Sequence, residues 1–597
     1  MKSPGISQLN QLYREAKSSP AEVIDQVIAL CDAADEKIWI HRLSPDEIAP
    51  YLENLSDKDP EKHPLFGVPF AIKDNIDLAG IPTTAGCPEY SYIPTQSATA
   101  VAKLIEAGAI PVGKTNLDQF ATGLVGVRSP YGFPSNPHNR EYIPGGSSSG
   151  SAVAVARGLV SFALGTDTAG SGRVPASLND LVGIKPTKGL VSCHGVVPAC
   201  RTLDCVTVFS GTVEDGSTVL DAMAGYDRSD PYSRKMETLP GSIPGPGMTV
   251  IGIPRATQLQ FFGNNEAAAR FEETKANCRN LGWKVEEIDF EPFLEAARLL
   301  YEGPWVAERL AAIEDFFAGN EKDIYPVTAA IIGGARDLRA VDAFKAEYRL
   351  RTLKQAADEI FETVNAILTP TLGNPYTVAE VESDPVQLNS NLGYYTNFMN
   401  LLDCSAIAIP AGTLPASGMP WGVTLFAPAF FDPFLLKAGD QLHQVSRNGP
   451  NTESDDATWE TGSYGSSEER IEVAVCGAHL SGFPLNHQLV TRGGRLSRTT
   501  TTAPVYRMHA LPPTDSFPPR PGLIRDESKG AAIEVEVWSL PSSTFGSFVN
   551  AIGAPLGIGK ILLADGKEVS GFLCEPYGTG GAENITALGS WRKFDAT

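Results

Sequence analysis

The sequence predicts an α/β fold in which a sheet is covered on both faces by helices, followed by a smaller second domain. Short apolar runs alternate with helical segments between about residues 64 and 445, an order typical of such a sheet. The chain has 597 residues, too many for one compact domain. A polar, acidic stretch at 448–470 has the composition of a linker.

The individual elements follow from the spacing of apolar residues. Residues 65–74 and 109–113 are short apolar runs, which predict buried strands. Residues 98–108 and 266–282 have a helical pattern and end at glycine, the residue that commonly follows the last turn of a helix. Further core strands are predicted from the runs MTVIGI, VNAILTP, SAIAIP and WGVTLF.

The domain boundaries follow from a change in composition. Residues 1–447 form the predicted first domain, and residues 448–470 are poor in aliphatic side chains, as linkers are. Residues 471–597 then contain shorter strand-like runs between glycine and proline turns. This pattern predicts a small β-rich or α+β domain.

The composition argues against several classes of function. The formal net charge of −22 disfavours a nucleic-acid partner, because such proteins neutralise phosphates with a basic face. No apolar stretch has the length of a membrane span or a signal peptide, so we expect a cytoplasmic protein without a membrane partner. The nine cysteines lack CxxC pairs and the histidines form no metal-binding motif. We therefore expect reduced thiols and neither a metal nor another cofactor.

Two loops rich in glycine and serine stand out in the first domain. The loop at 145–150 has the sequence GGSSSG, and the loop at 166–173 has the sequence TDTAGSGR after an apolar run. A turn of small residues after a strand directs backbone N–H groups at one point, as a developing oxyanion requires. Ser171 in the second loop is therefore a candidate nucleophile, and a nucleophilic serine needs a base.

Other interpretations of these loops are weaker. Residues 146–150 match GxSxG with Ser148 in the middle, but a run of three serines makes that match uninformative. Neither of these two loops has the sequence GxxxxGK[ST], which argues against a phosphate-binding loop there. Taken alone, residues 147–149 would more often cap a helix, and Lys73 would more often lie at the surface.

Residues 145–176, together with VPFAIKDNIDLAGIPTTAG at 68–86, closely resemble the amidase signature family. The resemblance extends over roughly residues 20–445. It implies an amidase-signature fold with a mixed central sheet covered by helices.

In that family the catalytic set is a lysine, a serine preceding a cis peptide, and a nucleophilic serine. The resemblance assigns these roles to Lys73, Ser147 and Ser171. A lysine acts as a base only where burial lowers its pKa, and Lys73 directly follows the apolar run GVPFAI. Neutral Lys73 is then expected to take a proton from Ser147, which takes one from Ser171. The oxyanion hole is expected from the backbone amides around Thr168, Ala169, Gly170 and Ser171.

Two departures from the commoner family pattern narrow the expected substrate. Ala169 and Gly172 stand where many relatives have glycine and isoleucine. Together with residues 117–132 they resemble the allophanate hydrolase branch. In that branch a tyrosine and an arginine at the spacing of Tyr301 and Arg309 hold the substrate carboxylate.

Tyr301 and Arg309 are separated by about two helical turns, so their spacing predicts that both lie on one side of a helix. The guanidinium of an arginine binds carboxylates bidentately. The alternative is that Arg309 points into water or pairs with a surface carboxylate, as most helix arginines do. Substrate binding is favoured because its helical neighbours are apolar, namely Trp305, Val306, Ala312 and Ile313. Gly123 is a further candidate for a backbone contact.

Residues 473–489, 545–575 and 584–594 resemble the C-terminal domain of two-domain allophanate hydrolases. The resemblance implies a fold similar to γ-glutamylcyclotransferase, a small β-barrel with helices, and a role in decarboxylating N-carboxycarbamate. His479 and His487 lie in the predicted pocket loop, where a histidine assists by hydrogen bonding or proton transfer. The alternatives are that these histidines are structural, or that the domain only supports assembly.

The resemblance implies an allophanate hydrolase of a urea or cyanurate breakdown route. Ser171 is expected to attack the terminal amide of allophanate, a small anion, and to release ammonia and N-carboxycarbamate. Decarboxylation and further breakdown then give two ammonia and two carbon dioxide overall. Two alternatives stay open: an amidase for other small carboxylated amides such as malonamate, and one component of a tRNA-dependent amidotransferase. We expect a homodimer, or membership of a larger complex.

Overall fold

The computed structural model describes residues 4–34, 36–235, 249–448, 470–490, 492–513 and 519–595. These residues form two compact units, the first ending with the helix Asp432–Asn448 and the second beginning with the strand Arg470–Val475. The predicted linker, residues 448–470, lies outside the described residues except for its two end residues, which belong to this helix and this strand. No helix within the described ranges is long and apolar enough to cross a membrane.

The first unit is built on one eleven-stranded sheet. In chain order its strands are β1 (Trp39–Arg42), β2 (Pro69–Lys73), β3 (Ile110–Thr115), β4 (Phe162–Asp167), β5 (Val182–Lys185), β6 (Cys205–Ser210), β7 (Val250–Pro254), β8 (Lys284–Ile288), β9 (Ala366–Pro370), β10 (Cys404–Thr413) and β11 (Pro420–Pro428). Across the sheet their order is β1-β3-β2-β4-β6-β5-β10-β11-β9-β7-β8. β2 is parallel to β3 and β4, whereas β4 and β6 are antiparallel. The sheet is therefore mixed, which confirms the predicted fold class.

Helices cover this sheet. In chain order they are α1 (Ile6–Arg14), α2 (Pro20–Asp32), α3 (Pro45–Glu53), α4 (Thr99–Glu106), α5 (Ser149–Ala156), α6 (Val174–Leu178), α7 (Val213–Met223), α8 (Asn265–Asn280), α9 (Glu291–Glu302), α10 (Trp305–Asn320), α11 (Pro326–Gly333), α12 (Ala340–Phe361), α13 (Val378–Ser383), α14 (Gln387–Leu392) and α15 (Asp432–Asn448). Strands β2 to β6 are buried along their whole length. Burial on both faces explains why these segments are continuous apolar runs rather than alternating ones.

The segment that contains Tyr301 and Arg309 is not one helix, so that prediction is wrong. α9 and α10 are separate helices, divided by Gly303 and Pro304. Proline lacks a backbone N–H and its ring clashes with the preceding turn, which is why α9 ends before it. The two side chains nevertheless meet, because Nη2 of Arg309 donates to the Tyr301 hydroxyl at 3.3 Å.

The second unit is mostly β, as its turn-rich sequence predicts. Its strands are β12 (Arg470–Val475), β13 (Arg495–Thr501), β14 (Tyr506–Leu511), β15 (Arg520–Arg525), β16 (Glu534–Pro541), β17 (Leu556–Leu562), β18 (Glu568–Cys574) and β19 (Glu583–Asn584), and its helices are α16 (His487–Val490), α17 (Ser542–Asn550) and α18 (Trp591–Asp595). Five strands form one sheet in the order β13-β16-β12-β18-β17, and three form another in the order β15-β14-β19. The likeness to the γ-glutamylcyclotransferase fold stays a prediction.

Candidate active site

Three separate elements bring the predicted catalytic residues together. Lys73 is the last residue of β2, and Ser171 lies in the nucleophile loop, residues 168–173, directly after β4. Because β2 and β4 are adjacent and parallel, their carboxyl ends meet at the same edge of the sheet. The glycine–serine loop at 145–150 leads into α5, which packs against β4. It adds Ser147 at that edge.

Lys73 and Ser147 are in direct contact. Nζ of Lys73 lies 2.8 Å from Oγ of Ser147 and 2.8 Å from Oγ1 of Thr166. All three side chains are buried. Thr166, a residue of β4 that the sequence analysis missed, accepts a further bond from Nδ2 of Asn75 at 3.4 Å. The amine of Lys73 is therefore held by two hydroxyl groups inside the protein.

Burial sets the protonation state of Lys73. It lowers the pKa of this amine from 10.5 to about 7, and the carboxylates of Asp118, Asp204 and Asp167 limit the fall. A charged amine loses more solvation on burial than a neutral one does, which is the reason for the direction. Near neutral pH a large share of Lys73 is therefore neutral and able to accept a proton.

The backbone around Ser147 is also fixed. The cis peptide bond joins Gly146 to Ser147 and therefore precedes this serine. The family resemblance implies a cis peptide after the serine, so that expectation differs from the structure. The amide of Asp118 donates to the Ser147 carbonyl at 3.0 Å. α5 starts at Ser149, and Ser148 at its N-cap position makes no capping hydrogen bond. Helix capping therefore does not explain the run of serines.

Ser171 faces a second loop of the first unit. Its Oγ lies 3.5 Å from the carbonyl oxygen of Gly123, and within the described residues it bonds to neither Ser147 nor Lys73. Catalytic hydrogen bonds are often long or misaligned until substrate binds. Gly123 has φ +152°, a conformation that favours glycine, and a Cβ atom there would lie 2.7 Å from Oδ2 of Asp118. Gly123 is thus placed beside the nucleophile.

Asp167, the last residue of β4, shapes the nucleophile loop. Its carboxylate accepts the amides of Gly170 at 2.8 Å and Gly172 at 3.0 Å, and it forms a buried ion pair with Arg173. The Gly170 amide is already engaged, so the structure does not support its predicted place in the oxyanion hole. A hydrogen bond to a side chain three residues earlier is not visible in the motif.

The remaining oxyanion-hole candidates, Thr168, Ala169 and Ser171, differ in their hydrogen-bond partners. The Thr168 hydroxyl donates to the carboxylate of Asp204, and burial raises the pKa of that carboxyl to about 6. The amides of Ala169 and Ser171 donate to no acceptor in the described part of the chain. Two free N–H groups flanking the nucleophile are suited to an oxyanion.

Asp118 is a central residue that the sequence analysis also missed. It follows the end of β3, and its carboxylate accepts the amides of Val125, Gly126 and Arg128 at 3.2, 2.9 and 2.9 Å. These hydrogen bonds fix the backbone of the segment that includes Gly123. A lone acid after an apolar strand was the available signal.

Arg309 is buried, so the alternative that it points into water is wrong. Its Nη1 donates to Oγ1 of Thr122 at 3.1 Å and to the carbonyl of Ala121 at 3.4 Å. Its Nε has no partner among the described residues. Arg309 and Ser171 thus contact consecutive residues of one loop, since Ser171 meets Gly123.

The two histidines of the second unit have different surroundings. His479 lines a pocket, where its ring stacks on Phe572 at 5.0 Å and Nε2 lies 3.1 Å from Oε1 of Gln488. Burial lowers the pKa of His479. His487 is exposed, and its Nδ1 lies 2.9 Å from the carbonyl of Pro484. Only His479 therefore lines the pocket.

The remaining groups of chemical interest are the cysteine thiols and the possible metal ligands. All nine cysteines are free thiols, and all but Cys193 are buried. The part of the chain that the structure describes contains no group of at least three His, Cys, Asp or Glu side chains arranged to hold a metal ion.

Two family models match the sequence. The amidase model matches residues 22–436, and the allophanate hydrolase C-terminal domain model matches residues 471–596. A urea amidolyase from Lachancea kluyveri is 41% identical over 99% of this chain, which spans 33% of that relative's length. The chain therefore covers about a third of this curated relative.

Other relatives cover the chain to different extents. The structure of the allophanate hydrolase from Kluyveromyces lactis is 39% identical, with a TM-score of 0.88 over 100% of this chain and 99% of that one. One component of the glutamyl-tRNA(Gln) amidotransferase from Geobacillus kaustophilus is 31% identical over 74% of this chain and 97% of its own. The chain therefore belongs to the amidase signature family of amidohydrolases, which act on carbon–nitrogen bonds, and it contains an allophanate hydrolase C-terminal domain.

Proposed function

We propose that the first unit hydrolyses the terminal amide of allophanate, with Ser171 as the nucleophile. The observation that carries this proposal is that Arg309 and Ser171 contact consecutive residues of one loop. A substrate whose carboxylate binds the guanidinium of Arg309 would thus have its amide group near Ser171. In allophanate a single N–H separates the carboxylate from the amide carbonyl. The full-length similarity to the Kluyveromyces lactis allophanate hydrolase supports the same substrate.

The proposed first step is acyl transfer to the serine. Oγ of Ser171 turns from Gly123 towards Ser147 and attacks the amide carbonyl, while Ser147 takes its proton and passes its own to neutral Lys73. The amides of Ala169 and Ser171 stabilise the oxyanion. The proton returns to the leaving nitrogen, the carbon–nitrogen bond breaks, and ammonia departs. Water attacks the acyl-enzyme through the same relay and releases N-carboxycarbamate.

Ammonia release from allophanate, malonamate, biuret and simple neutral amides tests this assignment. Biuret has the allophanate skeleton with an amide in place of the carboxylate, so the comparison isolates the negative charge. We expect the highest kcat/KM for allophanate. A higher value for a neutral amide would contradict the proposed substrate.

Replacing Arg309 with methionine is expected to lower kcat/KM for allophanate by about 100-fold or more, because a buried charge-assisted contact to the carboxylate is lost. The value for biuret should change less than about threefold. Steady-state kinetics on both substrates measures the difference. Arg298→Met on α9 removes an exposed arginine and is the matched control. Equal losses for both substrates would refute the role of Arg309.

A second candidate function is that of an amidotransferase component, favoured by the similarity to the glutamyl-tRNA(Gln) amidotransferase chain. That similarity covers 74% of this chain. Such a component works within an assembly, whereas an allophanate hydrolase needs no tRNA. Ammonia release by the purified chain without tRNA, ATP or a partner protein would eliminate this candidate.

We further propose that the second unit promotes decarboxylation of N-carboxycarbamate, with His479 assisting in its pocket. His479→Asn should leave the initial rate of ammonia release within about twofold and slow carbon dioxide release about tenfold. Ammonia and carbon dioxide are measured in parallel after allophanate is added, and the lag is the delay of carbon dioxide release behind ammonia release. His487→Asn is the matched control, because that side chain is exposed. The same lag in both variants, or in neither, would contradict the role of His479.

A further inference from the structure

Arg128 is a buried arginine that the proposed mechanism does not use. Its side chain is 2% exposed. Nη1 donates to the carbonyl of Thr122 at 3.1 Å, and Nη2 donates to the carbonyl of Pro385. Nε has no partner among the described residues. Burying a guanidinium costs solvation free energy, which the nearby carboxylate of Asp118 offsets in part. The two hydrogen bonds of Arg128 nevertheless go to backbone carbonyls, so its direct effect is on the backbone.

Thr122 connects this arginine to the proposed substrate site. Its carbonyl oxygen accepts from Arg128, and its side-chain Oγ1 accepts from Arg309. The next residue, Gly123, faces Ser171, and a Cβ atom at Gly123 would lie 3.1 Å from Nη1 of Arg128. Arg128 therefore lies directly behind the loop that both Arg309 and Ser171 contact.

The loop in front of Arg128 has a backbone that needs support. Phe120 and Ala121 have φ of +52° and +51°, a left-handed conformation that costs roughly 1–2 kcal/mol for each residue other than glycine. Asp118 fixes the far end of the loop through three backbone amides. Arg128 fixes its middle and ties it to Pro385, which precedes α14.

We propose that Arg128 is a positioning residue for carboxylate recognition: it fixes Thr122, and Thr122 in turn fixes the guanidinium of Arg309. The inference rests on the proposed function, because it assumes that Arg309 binds the substrate carboxylate. Arg128 itself touches no substrate in this scheme. Removal of Arg128 therefore weakens the binding of anionic ligands, because it acts through Arg309. Loss of a purely structural contact would weaken the binding of every ligand alike.

Binding to the full chain in a Ser171→Ala background tests the proposal without turnover. Malonamate is the probe, because it replaces the N–H of allophanate with CH₂, and malonamide is its neutral counterpart. Arg128→Met should raise the Kd of malonamate about 30-fold and that of malonamide less than about threefold, as measured by calorimetry. In an Arg309→Met background, Arg128→Met should change the malonamate Kd less than about threefold, since the residue through which it acts is gone.

Thr122→Val supplies a second test that leaves Arg128 in place. It removes the acceptor of the Arg309 bond and keeps the carbonyl that Arg128 holds, so we expect a similar loss of malonamate affinity. Equal weakening of malonamate and malonamide, or an undiminished effect of Arg128→Met without Arg309, would overturn the inference. If the Ser171→Ala parent itself does not prefer malonamate, the proposed function fails together with this inference. A parent that prefers malonamate while Arg128→Met is without effect refutes the inference alone.

Discussion

Replacing Ser171 with alanine is expected to lower ammonia release from allophanate by at least about 10⁴-fold, because the attacking oxygen is removed and no neighbouring hydroxyl takes its position. Ser147, the other serine of the proposed set, is held by Lys73. The change is measured as kcat with saturating allophanate. Binding of malonamate should persist, since Arg309 remains.

The matched control for this variant is Ser149→Ala in the glycine–serine loop. Ser149 is buried like Ser171, but its hydroxyl only approaches the carbonyl of Asn116, at 3.5 Å. We expect a change of less than about tenfold in kcat, as for a minor packing change. Comparable losses in the two variants, or a Ser171→Ala enzyme with more than about 1% of the activity, would disprove the nucleophile.

Replacing Lys73 with methionine is expected to lower kcat by about 10³-fold or more and to remove the main inflection of the pH profile. In the unmodified chain, protonated Lys73 cannot accept the proton of Ser147. Since its pKa is about 7, kcat/KM should fall tenfold per pH unit below about pH 7 and level off above it. Rates measured between about pH 5 and 9 show both effects.

Asp204 is the group whose titration must be separated from that of Lys73, because the pKa of this carboxyl is about 6. The Asp204→Asn variant should keep the inflection of Lys73 but move it below pH 7, because the Asp204 carboxylate raises the pKa of this amine. Loss of the charge-assisted bond from Thr168 should also lower the rate. If the inflection disappears with Asp204 and persists without Lys73, the assignment of the base is wrong.

Much of the fold could be predicted from the sequence, because segments that are buried in the fold are also rich in apolar residues. Strands β2 to β6 are covered on both faces, so their apolar runs mark them without any knowledge of their partners. The break between α9 and α10 was also written in the sequence as Gly303 and Pro304. The eight-residue spacing of Tyr301 and Arg309 matches two helical turns, but a proline between them ends the helix, which is why the prediction of a single helix is wrong.

The candidate site was accessible only in part. The motifs pointed to Lys73 and Ser147, which the structure brings into contact. Thr166 carried no comparable signal, because its partner Lys73 lies 93 residues away in the sequence. Asp118 binds amides only seven to ten residues ahead, but its carboxylate belongs to no motif. The engagement of the Gly170 amide depends on the direction in which the Asp167 carboxylate points, and composition does not encode that direction.

The neutral state of Lys73 weakens the fold that contains it. An unfolded chain binds a proton at this lysine below about pH 10.5, whereas the folded chain does so only below about pH 7. The difference lowers the free energy of unfolding progressively as the pH falls between these values. It reaches on the order of 5 kcal/mol at and below pH 7, a large fraction of the net stability of an ordinary domain. The basicity needed for catalysis is thus obtained at the expense of conformational stability, and the apolar burial of the eleven-stranded sheet offsets the loss.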